Sequence, residues 1–127
     1  MRAADTNLVV RLVTRDEPAQ TRAAEAWVAK GAWVSHLALV EATWVLASVY
    51  ELDAKAIATA VEMLLNHREL VLQDEDVVAA ALARFRGRSA PEFSDCLMLE
   101  VARKAGHLPL GTFDRGLARL EGAERVG

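Results

Sequence analysis

Cysteine is almost missing from this chain: one residue, Cys96, in 127. A lone thiol excludes an internal disulfide. With no second thiol or nearby histidine it is also a poor metal ligand, so Cys96 is expected to be a small buried side chain. Long apolar runs are missing too. The longest, such as Ala42 to Val49, fall far short of the ~20 residues that a membrane span needs. Arg2 leads directly into a usable strand rather than a leader segment, which gives the expectation of a cytoplasmic protein. Positive charge is not in excess: 15 Lys and Arg stand against 18 Asp and Glu, for a net charge of −3. That balance excludes a general nucleic-acid binder with a basic surface throughout, and any RNA contact must be local. The three histidines, His36, His67 and His107, are scattered and none pairs with a serine or cysteine nucleophile motif, which argues against a histidine-based hydrolase. Nothing resembles a repeat, a low-complexity tract or a linker, so residues 1–127 are expected to form a single domain.

Hydrophobic residues make up 53% of the chain and charged residues 26%, a globular composition. Short apolar pieces suited to buried strands alternate with longer helical patterns. This alternation predicts a three-layer α/β/α domain with a central parallel sheet of four to five strands. A first strand is expected over Arg2 to Asp5, then a short helix over Leu8 to Val13. A second helix starts near Pro18 and stops before Gly31. A brief strand at Trp33 and Val34 precedes two helices, Ala38 to Tyr50 and Asp53 to Asn66. Leu70 to Leu72 is the third strand. Asp74 is expected to cap the next helix, which buries Val77, Val78, Ala81, Leu82 and Phe85. The best loop candidate is Gly87 to Phe93, after which Ser94 is expected to cap a helix through Ala105. A fourth strand at Leu108 to Thr112, a short helix around Gly116 to Leu120 and a last strand near Arg125 and Val126 follow.

Four acids stand out by placement. Asp5 closes the first strand and Asp114 follows the fourth, and open parallel sheets bind ligands beyond the carboxyl ends of their strands. Both would point into one cleft if their strands are neighbours. Glu41 has Leu37, Ala38, Trp44 and Val45 as helical neighbours, so it interrupts an apolar face and, if buried, needs a partner. Asp95 opens a helix on a stripe shared with Met98, Leu99 and Ala102; its alternative reading is an ordinary first-turn acid favoured by the helix dipole. Four like charges in one crevice repel and raise one another's pKa unless a divalent cation neutralises them. With oxygen donors alone, the cation expected is Mg²⁺ or Mn²⁺. Such a site suits phosphodiester hydrolysis, because the metal activates a water and shields developing charge.

The stretches Asp5-Thr6-Asn7-Leu8, Leu39-Val40-Glu41, Ser94-Asp95-Cys96-Leu97 and Thr112-Phe113-Asp114-Arg115 resemble those of VapC-type PIN domains, in order and rough spacing, across almost the whole chain. The resemblance implies a Mg²⁺-dependent endoribonuclease, the toxin of a toxin–antitoxin system. It also implies frequent homodimers and a small cognate antitoxin protein whose tail blocks the site. Carried over by position, it makes Asp5, Glu41, Asp95 and Asp114 the catalytic acids, with Asp5 and Asp95 the most direct metal ligands and Asp114 beside them. Thr112 would position the cluster and Asn7 would support it through its amide. Cys96 departs from the alanine usual after the third acid.

Arg84, Arg86 and Arg88 precede the loop leading to Asp95 and Arg115 follows Asp114. They are candidates for holding substrate phosphates, against the alternative of a solvated helix end. Trp27, Trp33 and Trp44 are expected in the core or at a subunit interface rather than stacked on bases. Exposed apolar surface on the middle helical pair would suit an antitoxin helix or a second subunit. Competing classes fit less well. A haloacid-dehalogenase-type phosphatase needs an aspartate where Asn7 stands, and a receiver domain needs an aspartate ending the third strand and a lysine near the fourth. A catalytically silent RNA- or protein-binding module, and a housekeeping RNA-processing nuclease without an antitoxin, keep the same fold and remain the alternatives.

Overall fold

A computed structural model describes residues 1–87 and 91–127. Helices and parallel strands alternate along the chain, the α/β arrangement expected, and they gather into two compact units, Met1–Glu75 and Asp76–Gly127. The five strands among the described residues are all parallel and hydrogen-bond as a set of three and a set of two.

The first unit holds β1 (Arg2–Ala3), α1 (Thr6–Thr14), α2 (Pro18–Val28), β2 (Ala32–Val34), α3 (His36–Ser48), α4 (Ala54–Leu65) and β3 (Leu70–Leu72). Its sheet runs β1-β2-β3, with Arg2 opposite Ala32 and Val34 opposite Leu72. The ladder continues past β1 through Ala4, whose N–H donates to the carbonyl of Trp33 at 2.8 Å, so Asp5 stands at the end of a fixed strand. The helix starts are locally determined. Asp5, Glu17, Ser35 and Asp53 each accept a bond from a backbone N–H two or three residues on, satisfying donors that a helix N-terminus leaves free. Pro18, with its φ already set for a helix and no N–H to lose, opens α2. Val9, Val10, Leu12, Val28, Val34, Leu39, Leu46, Val61, Leu64 and Leu72 form the core of this unit, each 5% exposed or less.

The second unit holds α5 (Glu75–Phe85), whose first residue closes the preceding unit, α6 (Phe93–Ala105), β4 (Leu110–Thr112), α7 (Arg115–Ala118) and β5 (Ala123–Arg125). β4 and β5 pair in parallel, with Leu110 opposite Ala123 and Thr112 opposite Arg125. β1 bonds to β2 and β4 to β5, so no ladder joins the strands that carry Asp5 and Asp114 among the described residues.

α5 opens at Glu75, directly after Asp74, whose φ of +43° is a left-handed conformation that aspartate tolerates. One helix start differs from expectation, for a local reason. α6 begins at Phe93 with Glu92 at the cap position, ahead of Ser94. Phe93 is 2% exposed and meets Phe85 edge-on at 5.8 Å, and burial of that ring draws it into the first turn. Cys96 is buried, as expected, and burial pushes its thiol up to about 11, so it is inert as a nucleophile. Among the described residues no helix is long and apolar enough to cross a membrane.

Candidate active site

In the first unit Asp5 stands in the strand-to-helix turn after β1, and Asn7 follows in the first turn of α1. Asp5 is exposed, and its Oδ1 accepts the N–H of Leu8 at 3.0 Å. That bond orients the carboxylate and leaves Oδ2 able to ligate a cation or accept from a water. Thr6, which the motif reading left without a role, donates its hydroxyl to Glu41 Oε1 at 3.1 Å. One side-chain bond therefore ties the start of α1, next to Asp5, to the middle of α3. Glu41 itself corrects the expectation of burial. It is exposed, and so are its neighbours Leu37 at 69% and Trp44 at 52%. The apolar face it interrupts is an outer surface of this unit, while Ala38, Leu39, Ala42 and Leu46 turn inward. Trp44 is thus not a core residue; Trp27 and Trp33 are half-buried.

Asn7, expected to support the site, is exposed. With Leu8 and Arg11 of α1 and Gln20, Ala23, Ala24 and Trp27 of α2 it lines a groove of about 400 Å³. Arg11 is fixed at that groove by Asp16 at 2.7 Å, Gln20 at 2.8 Å and the Tyr50 hydroxyl at 3.1 Å. Those hydrogen bonds raise the Arg11 pKa, Tyr50 most strongly.

In the second unit Asp114 sits at the turn between β4 and α7, held on both sides. Its N–H donates to Thr112 Oγ1 at 3.0 Å, and its Oδ2 accepts from Leu117 N–H at 2.7 Å as the cap of α7. Thr112 therefore positions Asp114, the part expected of it. Asp95 lies half-buried in the first turn of α6. Burial pushes its pKa up, and the charges of Glu92 and Asp114 push it further. Glu92, with no part in the sequence reading, thus belongs to the electrostatics of Asp95. Its signal was available: an acid three residues before another, both at a helix start.

The candidate phosphate-binding arginines separate. Arg84 is turned to Glu100, a buried carboxylate 6% exposed, at 3.8 Å, and Arg103 approaches the same Oε2 at 3.3 Å. Arg84 therefore serves that ion-pair network. Arg86 is exposed, Arg115 is exposed beside Asp114, and Arg88 lies outside the described residues. Glu100 itself was not foreseen, because a single acid in a helix with Arg103 three residues on reads as a surface pair.

Among the described residues no group of three or more His, Cys, Asp or Glu side chains is arranged to hold a metal ion. The donors present are hard carboxylate oxygens, and Mg²⁺ needs only one or two of these with waters and substrate phosphates for the rest. The like-charge crowding at Asp95 is what a cation would relieve.

No curated protein and no solved structure matches the chain. A family profile does: the PIN domain profile matches residues 3–123, running through all four acids and both units. With parallel strands, alternating helices and acids at the strand-to-helix turns, the chain belongs to the PIN domain family, whose members are generally nucleases.

Proposed function

We propose that this protein is a Mg²⁺-dependent endoribonuclease built as one PIN domain over residues 1–127, with Asp5, Glu41, Asp95 and Asp114 as its catalytic acids. The observation that carries this reading is Asp95, a half-buried carboxyl whose ionisation is opposed by burial and by the charges of Glu92 and Asp114. A lone structural acid has no need of such surroundings. A group that must be charged only when a cation arrives is well served by them.

Asp5, Asp95 and Asp114 are the residues that would hold the ion; the helix-start bonds leave Oδ2 of Asp5 and Oδ1 of Asp114 for it. A divalent cation, when bound, lowers the pKa of an attacking water and shields the charge that builds on phosphorus and the leaving oxygen. The chain's own residues do the rest. Asp5 and Asp114 are oriented by the same N–H bonds that start α1 and α7, so their positions are set before substrate arrives. Glu41, steadied by the Thr6 hydroxyl, is an exposed base able to accept a proton from water. Water adds to phosphorus, the bond to one ribose oxygen breaks, and that oxygen leaves with a proton.

We further propose that the protein acts as the toxin of a toxin–antitoxin pair, as a homodimer in the cytoplasm, inhibited by a small cognate antitoxin protein. The four VapC-type stretches support the toxin role. The exposed Leu37 and Trp44 beside Glu41 offer apolar surface for a second subunit. The test is cleavage of a structured RNA pool by purified protein with Mg²⁺, with Mn²⁺ and with excess chelator, beside Asp5→Asn and Asp95→Asn. Metal-dependent cutting that both substitutions abolish supports the site; cutting that survives chelator, or survives both substitutions, refutes it. Growth arrest on expression, relieved by co-expression of a small protein encoded next to this one, tests the toxin role.

A further inference from the structure

Aromatic rings rarely stand in water without a use. Phe113 is 80% exposed, the most exposed large apolar side chain of the described residues. It is also held still. The residue before it is tied to β5 by the Val126 N–H, which donates to Thr112 O at 2.8 Å. The residue after it is tied by the Asp114 N–H to Thr112 Oγ1 and by the cap bond to Leu117. A ring projected from a turn braced on both sides loses little further freedom when something lies against it.

Three arginines stand near it in sequence and strand register. Arg115 is two residues on, Arg119 ends α7 one turn later, and Arg125 stands opposite Thr112 in the β4–β5 register. All three are exposed and none forms an ion pair or side-chain hydrogen bond among the described residues. By contrast Arg84 and Arg103 of the same unit are held by Glu100. The acids at this end are Asp114 itself, Glu121 and Glu124. An exposed aromatic ring among unpaired arginines is the pairing that single-stranded nucleic acid uses: bases stack on the ring while cations follow the phosphates. Phe and Arg are also enriched at protein interfaces, so a subunit contact through this ring is one of the outcomes that the test below separates.

We propose that Phe113 is a base-stacking platform for substrate RNA, with Arg115, Arg119 and Arg125 holding the phosphates on either side of the stacked nucleotide. This rests on the nuclease reading above and adds a substrate subsite to it. Because Asp114 is the next residue, a base on Phe113 fixes which phosphate lies nearest that acid, so the ring selects an unpaired nucleotide and sets the register of cleavage.

The test measures binding without cleavage. Wild-type protein in EDTA is titrated with a single-stranded RNA oligonucleotide carrying the fluorescent base aminopurine, beside Phe113→Ala, Phe113→Tyr, Arg115→Ala and Arg125→Ala. Circular dichroism checks that each variant is folded. Stacking predicts quenching by wild type and by Phe113→Tyr, and a loss of affinity of roughly ten-fold with loss of the quench in Phe113→Ala. Each arginine variant should lower the salt slope of log affinity by about 0.7. Equal affinity and quench in Phe113→Ala overturn the proposal. So does failure of folded wild type to bind the oligonucleotide, and so does a Phe113→Ala variant that dissociates a dimer while binding RNA as before. The nuclease reading is judged separately: Phe113-dependent binding without metal-dependent cutting leaves the platform and removes the nuclease, and cutting with unaltered KM in Phe113→Ala does the reverse.

Discussion

Asp5 does two jobs with one carboxylate, capping α1 through Oδ1 and offering Oδ2 outward, and substitutions at this residue separate them. Asparagine caps as well as aspartate but is a far weaker ligand for a hard cation, so Asp5→Asn should abolish metal-dependent cleavage while thermal stability stays within about 0.5 kcal/mol of wild type. Alanine loses both functions: Asp5→Ala should be equally inactive and also about 1 kcal/mol less stable, a fall of about 4 °C in Tm. Unequal cleavage by the two variants would refute the assignment. Gly116 tests Asp114 in a similar way. A Cβ there would lie 3.2 Å from Asp114 Oδ2, closer than the pair accommodates without a shift of the carboxylate. Gly116→Ala should leave stability unchanged or improved, since alanine favours a helix, while cutting falls by up to roughly ten-fold. Equal rates in matched cleavage assays would place Asp114 outside the chemistry.

At the scale of elements, the least expected feature is Glu100, buried on α6 between Arg84 and Arg103. Arg103 also donates to the Glu121 carbonyl at 2.6 Å, so one carboxylate braces α5, α6 and the turn before β5. Glu100→Gln should cost about 2 kcal/mol, seen as a lower urea midpoint with an unchanged slope, because it leaves two cations without their shared counter-charge. A midpoint equal to wild type would show that water serves the arginines equally well. The helices themselves were legible in the sequence because their starts are written in local chemistry: Pro18, Ser35 and Asp53 act within three residues of their own position. Ser94 misled for the same reason in reverse: its side chain suits a cap, but the burial of Phe93 moved the helix start. Glu41 shows the limit of periodicity, since α3 is apolar on both sides and no spacing tells which side meets the core.

The pH response of the whole molecule follows from the raised pKa of Asp95. In the metal-free protein the folded state holds that proton at pH values where the unfolded chain has already released it. Stability therefore falls as pH rises from the ordinary carboxylate value of 3.8 through the raised one, and the deficit is complete above it. In chelator at neutral pH, Asp95→Asn should be more stable than wild type, and the difference should vanish as pH falls below the ordinary value. Mg²⁺ should reverse the order: it stabilises wild type by about 2.7 kcal/mol at a hundred times Kd, seen as a concentration-dependent rise in Tm, and leaves Asp95→Asn unmoved. Equal Mg²⁺ shifts in both proteins would remove Asp95 from the metal site. Asp5 and Asp114 were legible by position after β1 and β4, while Thr6, Glu92 and Phe113 were not, since hydrogen bonding across 35 residues, electrostatic crowding and exposure exist only in the folded chain.

The caps on α1 and α7 also constrain how this sequence can drift. An acid that only bound metal could decay to any small residue once activity was no longer selected. Asp5 and Asp114 each hold the first turn of a helix, so a lineage that abandons cleavage keeps its fold most easily by exchanging them for asparagine, serine or threonine. Silenced descendants of this protein should therefore be recognisable by neutral capping residues at these two positions, while Glu41, which caps nothing, drifts freely.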